Sequence, residues 1–81
     1  MYKPFSLSEQ AQDVIRAIVD FSTSHGAVWL VARTLSGRRL ISMPAPLDVD
    51  AILRAVYYER GTIEFTSCFE NKAPLFYRVV L

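Results

Sequence analysis

The sequence predicts an α+β domain in which two helices cover one face of a four-stranded, mainly antiparallel sheet. Two segments have the apolar spacing of an amphipathic helix, and each is followed by a glycine. Each glycine is followed in turn by two strand-like segments that a short polar turn joins. The order α-β-β-α-β-β forms a two-layer sandwich when both helices pack on the same face. With 81 residues, the chain is expected to form one domain over residues 1–81.

The first helix is predicted to begin at Ser6, where Glu9 completes a capping box. Gly26 is the expected C-terminal stop. The predicted buried stripe consists of Leu7, Ala11, Val14, Ile15, Ile18 and Phe21.

The second helix is predicted to begin after Asp48 as its N-cap, with Leu47 packing against Ile52 as a hydrophobic staple. Gly61 is expected to end it. Its predicted buried stripe consists of Val49, Ile52, Leu53, Val56 and Tyr57.

The first hairpin is expected to run through residues 27–34 and 39–43, with its turn at Ser36-Gly37. Pairing Thr34 with Arg39 decides which side chains share a face, because side chains alternate along a strand. The predicted core face then contains Val28, Leu30, Ala32, Ile41 and Met43. The predicted opposite face contains Trp29, Val31, Arg33, Leu40 and Ser42.

The second hairpin is expected to run through residues 62–69 and 75–81, with a five-residue turn at 70–74 closed by Pro74. The predicted core face contains Ile63, Phe65, Ser67, Phe69, Leu75, Tyr77, Val79 and Leu81. The predicted opposite face contains Glu64, Thr66, Cys68, Phe76, Arg78 and Val80, with Glu64 and Arg78 pairing diagonally.

The order of elements resembles a circularly permuted ferredoxin-like fold, because moving the last strand to the front gives β-α-β-β-α-β. This resemblance implies that the strand ending at Leu81 lies centrally, beside residues 39–43. The alternative is a pair of hairpins that a partner chain completes.

Composition and charge narrow the class of protein. The longest apolar run, residues 27–32, is far shorter than the roughly 20 residues that span a bilayer. One cysteine and no signal-peptide pattern at the N-terminus predict a cytoplasmic protein. A net charge of +1 argues against strong nonspecific attraction of the whole chain to nucleic acid.

The sequence contains no pattern typical of catalysis or of a bound cofactor. His25 stands at a helix C-terminus, where histidine is favoured by the helix dipole and the free carbonyl groups. Cys68 has no base beside it in the predicted strand. The three glycines end helices or turn a hairpin and do not form a phosphate loop. We therefore predict a protein that is not an enzyme and that holds no metal or cofactor.

The sheet face turned away from the helices is the predicted binding surface, because it is more apolar than a solvated surface normally is. The expected partner is a protein, first of all a second copy in a homodimer, and the expected role is regulatory: inhibition or adaptation of a larger assembly. The alternative is nucleic-acid binding through the same aromatic and arginine side chains. The residues predicted to bind the partner are Trp29, Val31, Arg33, Arg38, Arg39, Leu40, Phe76 and Arg78.

Overall fold

The structure, a computed structural model, describes residues 7–81. Its elements are α1 (Glu9–Ser24), β1 (Ala27–Thr34), β2 (Arg39–Pro44), α2 (Val49–Val56), β3 (Thr62–Phe69) and β4 (Lys72–Val80). The predicted α-β-β-α-β-β order and the α+β class are confirmed.

The four strands form one antiparallel sheet in the order β2-β1-β3-β4. The two hairpins therefore join through their first strands, and β4 lies at an edge of the sheet. The predicted central position of the last strand, beside residues 39–43, is wrong. The ferredoxin-like permutation requires that neighbourhood, so it does not describe this sheet.

Both helices pack on the same face of the sheet, around a single core. Its fully buried members include Ile15 of α1, Ile52 of α2, Leu30 of β1 and Phe65 of β3. Each helix thus contributes one apolar stripe to a layer whose other side is formed by alternate residues of the strands.

The α1 stripe lies slightly to one side of the predicted one. Val14 and Phe21 are about 40% exposed, whereas Val19 and Ser22 are buried. Val28 is also exposed, because the pairing of β1 with β3 is irregular between Ala27 and Trp29. These three apolar residues were predicted to lie in the core, and that prediction is wrong.

The first hairpin has the predicted register over most of its length, with Leu30 opposite Met43 and Ala32 opposite Ile41. Near the turn a bulge places Arg39 opposite Arg33 and not opposite Thr34 as predicted. The bulge therefore moves Arg39 to the face that Arg33 occupies.

The second hairpin turns earlier than predicted, at Glu70 and Asn71, where Asn71 has a φ of 60°. β4 begins at Lys72, so Pro74 lies within an edge strand, where its missing N–H can face away from the sheet. Phe65 is opposite Tyr77, two residues from the predicted register. A shift of two residues preserves the faces, so the predicted division of side chains between the two faces holds. Leu75, which was predicted to lie in the core, is nevertheless 41% exposed.

Both helix starts are capped by side chains. The Ala11 N–H donates to Ser8 Oγ, so Ser8 is the N-cap of α1, whereas Ser6, the predicted cap, lies outside the described residues. Asp48 caps α2 as predicted, its Oδ1 accepting from the Asp50 and Ala51 N–H groups. At the other end of α1, Gly26 takes a φ of +79°, which only glycine adopts without strain.

Candidate functional site

The sheet face turned away from both helices, called the open face below, has side chains in three rows that cross the strands. The first row has Trp29 opposite Pro44 and Cys68, and the second has Val31 between Ser42 and Thr66, followed by Phe76. The third row consists of Arg39, Arg33, Glu64 and Arg78. Val80 lies beyond the third row on β4, opposite Thr62.

Trp29 lies in the first row of the open face. Its indole Nε1–H donates to Ser42 Oγ at 2.6 Å, so the ring leans across β2 and is held there. The residue is still 41% exposed. A large apolar ring fixed in one orientation loses little freedom on binding, which favours it as an anchor for a partner.

The middle of the open face is apolar on β1 and β4. Val31 is half-buried between its strand neighbours, and Phe76 is 62% exposed at the edge strand. Val80, further along β4, is 73% exposed. These side chains have no covering layer among the described residues, in contrast to the core face under the two helices.

The third row is cationic. The row contains three positive charges, at Arg39, Arg33 and Arg78, and one negative charge, at Glu64. Glu64 lies between Arg33 and Arg78. Arg78 Nε is 3.5 Å from Glu64 Oε2, and the two residues are directly opposite and not diagonal as predicted. The cationic row thus lies between the apolar side chains of the first two rows and Val80.

Leu40 was predicted to lie on this face, and that prediction is wrong. Arg38 was predicted to bind a partner from the hairpin tip, at the rim of the face. Leu40 lies at the bulge of the first hairpin, and it is half-buried against the helix-side core. Arg38 donates from Nη2 to both carboxylate oxygens of Glu59, at 2.6 and 2.7 Å. This ion pair ties the hairpin turn to the segment after α2, so Arg38 has a structural partner within the chain.

Both edges of the sheet are poorly suited to pairing with another strand. β2 has only six residues and ends at Pro44. β4 contains Pro74, an irregularity in its pairing after Ser67, and the cations Lys72 and Arg78. Proline, bulges and charges are the usual features that prevent edge-to-edge association. The open face is therefore a better candidate for docking than either edge.

His25 and Cys68 are placed as the sequence predicts. His25 Nδ1 is 2.9 Å from the Phe21 carbonyl oxygen, to which it donates, and its ring stacks on the Phe21 ring. Cys68 is half-buried in β3. Within residues 7–81, no three His, Cys, Asp or Glu residues gather closely enough to hold a metal ion.

Sequence reasoning missed the buried contact between Ser22 of α1 and Ser67 of β3, whose hydroxyl oxygens are 2.5 Å apart. A signal for it is present, because Ser22 follows Ile18 by four residues and so continues the buried stripe. The Arg38–Glu59 ion pair was also missed, since it joins residues that are distant in sequence.

Comparison with family models, with curated proteins and with solved structures found no match to this chain. In the described part of the chain, no helix has both the length and the apolar character needed to cross a bilayer. The open face, an aromatic and cationic surface on a small α+β domain, is the feature from which a function is proposed below.

Proposed function

We propose that this chain is a small non-enzymatic regulatory protein of the cytoplasm that binds protein partners through the open face of its sheet. Its first partner is a second copy of itself. The homodimer, or the same face on a single copy, inhibits or adapts a larger assembly.

The observation that carries this proposal is the exposure of large apolar side chains on the layer that no helix covers. Trp29, Phe76 and Val80 are 41%, 62% and 73% exposed on this side of the sheet. Large apolar side chains exposed on one face of a small protein are typical of interaction sites. Arginine at the border of an aromatic patch is typical of the polar rim of a protein interface.

Nucleic-acid binding is the second candidate, favoured by Phe76 beside Arg78 on an exposed strand. Aromatic rings that stack on bases, together with cations that contact phosphates, define that class of surface. Glu64 lies in the middle of the cationic row, where it opposes phosphate binding. For this reason we prefer a protein partner.

Sedimentation velocity over a concentration series tests the proposal. The wild-type protein is expected to self-associate, and Trp29→Glu is expected to be a folded monomer, since the substitution places a charge in the interface. Val14→Glu is the matched control, because Val14 is equally exposed but lies on α1, in the other layer. It should associate like the wild-type protein.

Three results would contradict the proposal. If the wild-type protein stays monomeric at high micromolar concentration, the proposed self-association is wrong. If Trp29→Glu and Val14→Glu weaken self-association equally, the association does not depend on the open face. Tight binding of single-stranded RNA that weakens steeply with salt would favour the second candidate, because phosphate contacts release counterions.

A further inference from the structure

A cavity of about 190 Å³, called the end cavity below, lies between the end of α1 and the turn of the second hairpin. It is open to solvent, and its lining consists of Phe21, His25, Phe69, Lys72, Ala73 and Leu75. We propose that the end cavity binds a small organic carboxylate with one aromatic ring, and that the Lys72 ammonium group pairs with the carboxylate. This site is separate from the open face and does not depend on the function proposed above.

A bulge in β4 places Lys72 at the end cavity. Leu75 is opposite Ser67, whereas Lys72 is opposite Phe69, so β4 has two residues between these pairs and β3 has one. The extra residue reverses the alternation of side chains along β4. Lys72 therefore lies on the helix side of the sheet with Phe69 and Leu75, and not on the open face with Phe76.

Aromatic rings from α1 form the facing wall of the end cavity. The Phe21 and His25 rings stack with their centroids 3.9 Å apart and an angle of 21° between their planes. His25 Nδ1 donates to the Phe21 carbonyl oxygen at 2.9 Å, which holds the imidazole ring in this stack. Phe21 and Leu75 are each 41% exposed. A ligand ring that enters between them covers apolar surface that the fold leaves in water, which favours binding.

The volume and the charge of the end cavity define the class of ligand. An apolar cavity of about 150 Å³ is known to hold benzene, so this one has room for a single aromatic ring with a short side chain. Lys72 is the one lysine, arginine or acidic residue in the lining, and no carboxylate of residues 7–81 forms an ion pair with it. One unpaired cation beside apolar walls matches a monoanion with an apolar body. A phosphate would leave most of its oxygens without donors, and a cationic ligand would be repelled.

The C-terminal end of α1 carries a partial negative charge, which by itself would oppose a carboxylate. Its carbonyl groups are engaged within the chain. The Phe21 carbonyl oxygen accepts from the His25 N–H and from His25 Nδ1, and the Thr23 carbonyl oxygen accepts from the Gly26 N–H. The full positive charge of Lys72 therefore outweighs the partial charge of the helix end.

Titration of the ¹⁵N-labelled chain by NMR tests the site, with phenylacetate as the probe and phenylacetamide as its neutral counterpart. Phenylacetate should shift the amide resonances of residues 21–26 and 69–75, with a dissociation constant on the order of 1 mM for a ligand of about ten non-hydrogen atoms. Phenylacetamide should shift the same resonances but bind about fivefold more weakly, because one exposed ion pair is worth about that much.

Three variants separate the contribution of charge from that of the apolar wall. Lys72→Met should weaken phenylacetate to the level of phenylacetamide and leave phenylacetamide unchanged. Leu75→Gln should weaken both ligands, because it makes the apolar wall polar. Arg16→Met is the matched control, since it removes the same charge from the exposed side of α1 and should change neither ligand. The amide spectrum of each variant checks that its fold is intact.

Two sets of results would overturn the proposal. If neither ligand shifts residues 21–26 and 69–75 at millimolar concentration, or if the shifts gather around Trp29 and Phe76, the end cavity is not the site. If phenylacetamide binds as tightly as phenylacetate, or if Lys72→Met binds phenylacetate like the wild-type protein, the pairing of Lys72 with a carboxylate is wrong. None of these results depends on self-association, so they leave the test of the open face unaffected.

Discussion

Ser22 and Ser67 join α1 to β3 by a hydrogen bond inside the core. The Ser22 hydroxyl donates its only proton to the Ile18 carbonyl oxygen at 2.7 Å. Ser67 must therefore donate to Ser22 Oγ, and Ser22 is the acceptor on which it depends. Both residues are fully buried, so water cannot replace a lost partner.

This asymmetry predicts unequal effects of two alanine substitutions. Ser22→Ala leaves the Ser67 hydroxyl buried without an acceptor and should lower the free energy of unfolding by about 1–3 kcal/mol. Ser67→Ala should cost less, because Ser22 keeps its bond to Ile18. Urea denaturation measures both.

The double variant Ser22→Ala/Ser67→Ala provides the control. With both hydroxyls removed, no unsatisfied polar group remains, so it should be more stable than Ser22→Ala alone. Additive losses in the double variant would contradict the assigned direction of the hydrogen bond.

At the same scale, alternation along the strands was enough to predict that Trp29, Val31, Arg33, Phe76 and Arg78 share one face. Leu40 and Arg39 were assigned to the wrong sides because a bulge shifts the alternation by one residue. The sequence has no glycine or other special residue at residues 39–41 that marks the bulge. The partner of Arg38, Glu59, depends on how the second helix packs, which strand patterns do not encode.

At the scale of elements, α2 depends on its cap more than α1 does, because it has only eight residues. Asp48 Oδ1 accepts from two backbone N–H groups of the first turn. Short helices are marginal by themselves, so capping and packing supply most of their stability.

Asp48→Ala should therefore lower the free energy of unfolding by about 1 kcal/mol. Asp48→Asn keeps an acceptor oxygen at the same place and should cost only a few tenths of a kcal/mol. The midpoint of urea unfolding compares them. Equal losses in the two variants would mean that the charge of Asp48, and not its hydrogen bonds, stabilises α2.

The start of α2 was predicted correctly, because one strong N-cap residue, Asp48, precedes its apolar stripe. Its predicted end at Gly61 is wrong, since the helix ends at Val56 with Tyr57 as its C-cap. The start of α1 was harder to predict, since Ser6 and Ser8 are both good caps and the structure uses Ser8. The second turn was predicted too late because Pro74 was read as a turn residue. An edge strand also tolerates proline, and the position of β4 at an edge is a property of the whole sheet.

At the scale of the whole molecule, the class and the layer arrangement followed from the sequence, but the strand order did not. The faces of both hairpins are the same whichever strands meet in the middle. The pairing of β1 with β3 depends on how the connection through α2 crosses the layer, and no local pattern in the sequence reports it. The open face was predicted despite this error because each hairpin contributes its outward side chains in either strand order.

The most direct measurement of the central claim is the fluorescence of Trp29 over a dilution series, since it is the only tryptophan in the chain. When the excitation wavelength is one that tyrosine does not absorb, the emission comes from Trp29 alone and therefore measures the solvent exposure of the open face. We predict blue-shifted emission and weak acrylamide quenching at high concentration, with a red shift and stronger quenching on dilution as the face becomes solvated. Val14→Glu should behave in the same way. Emission and quenching that do not change with concentration, in a protein that sediments as a dimer, would show that the open face is not the interface.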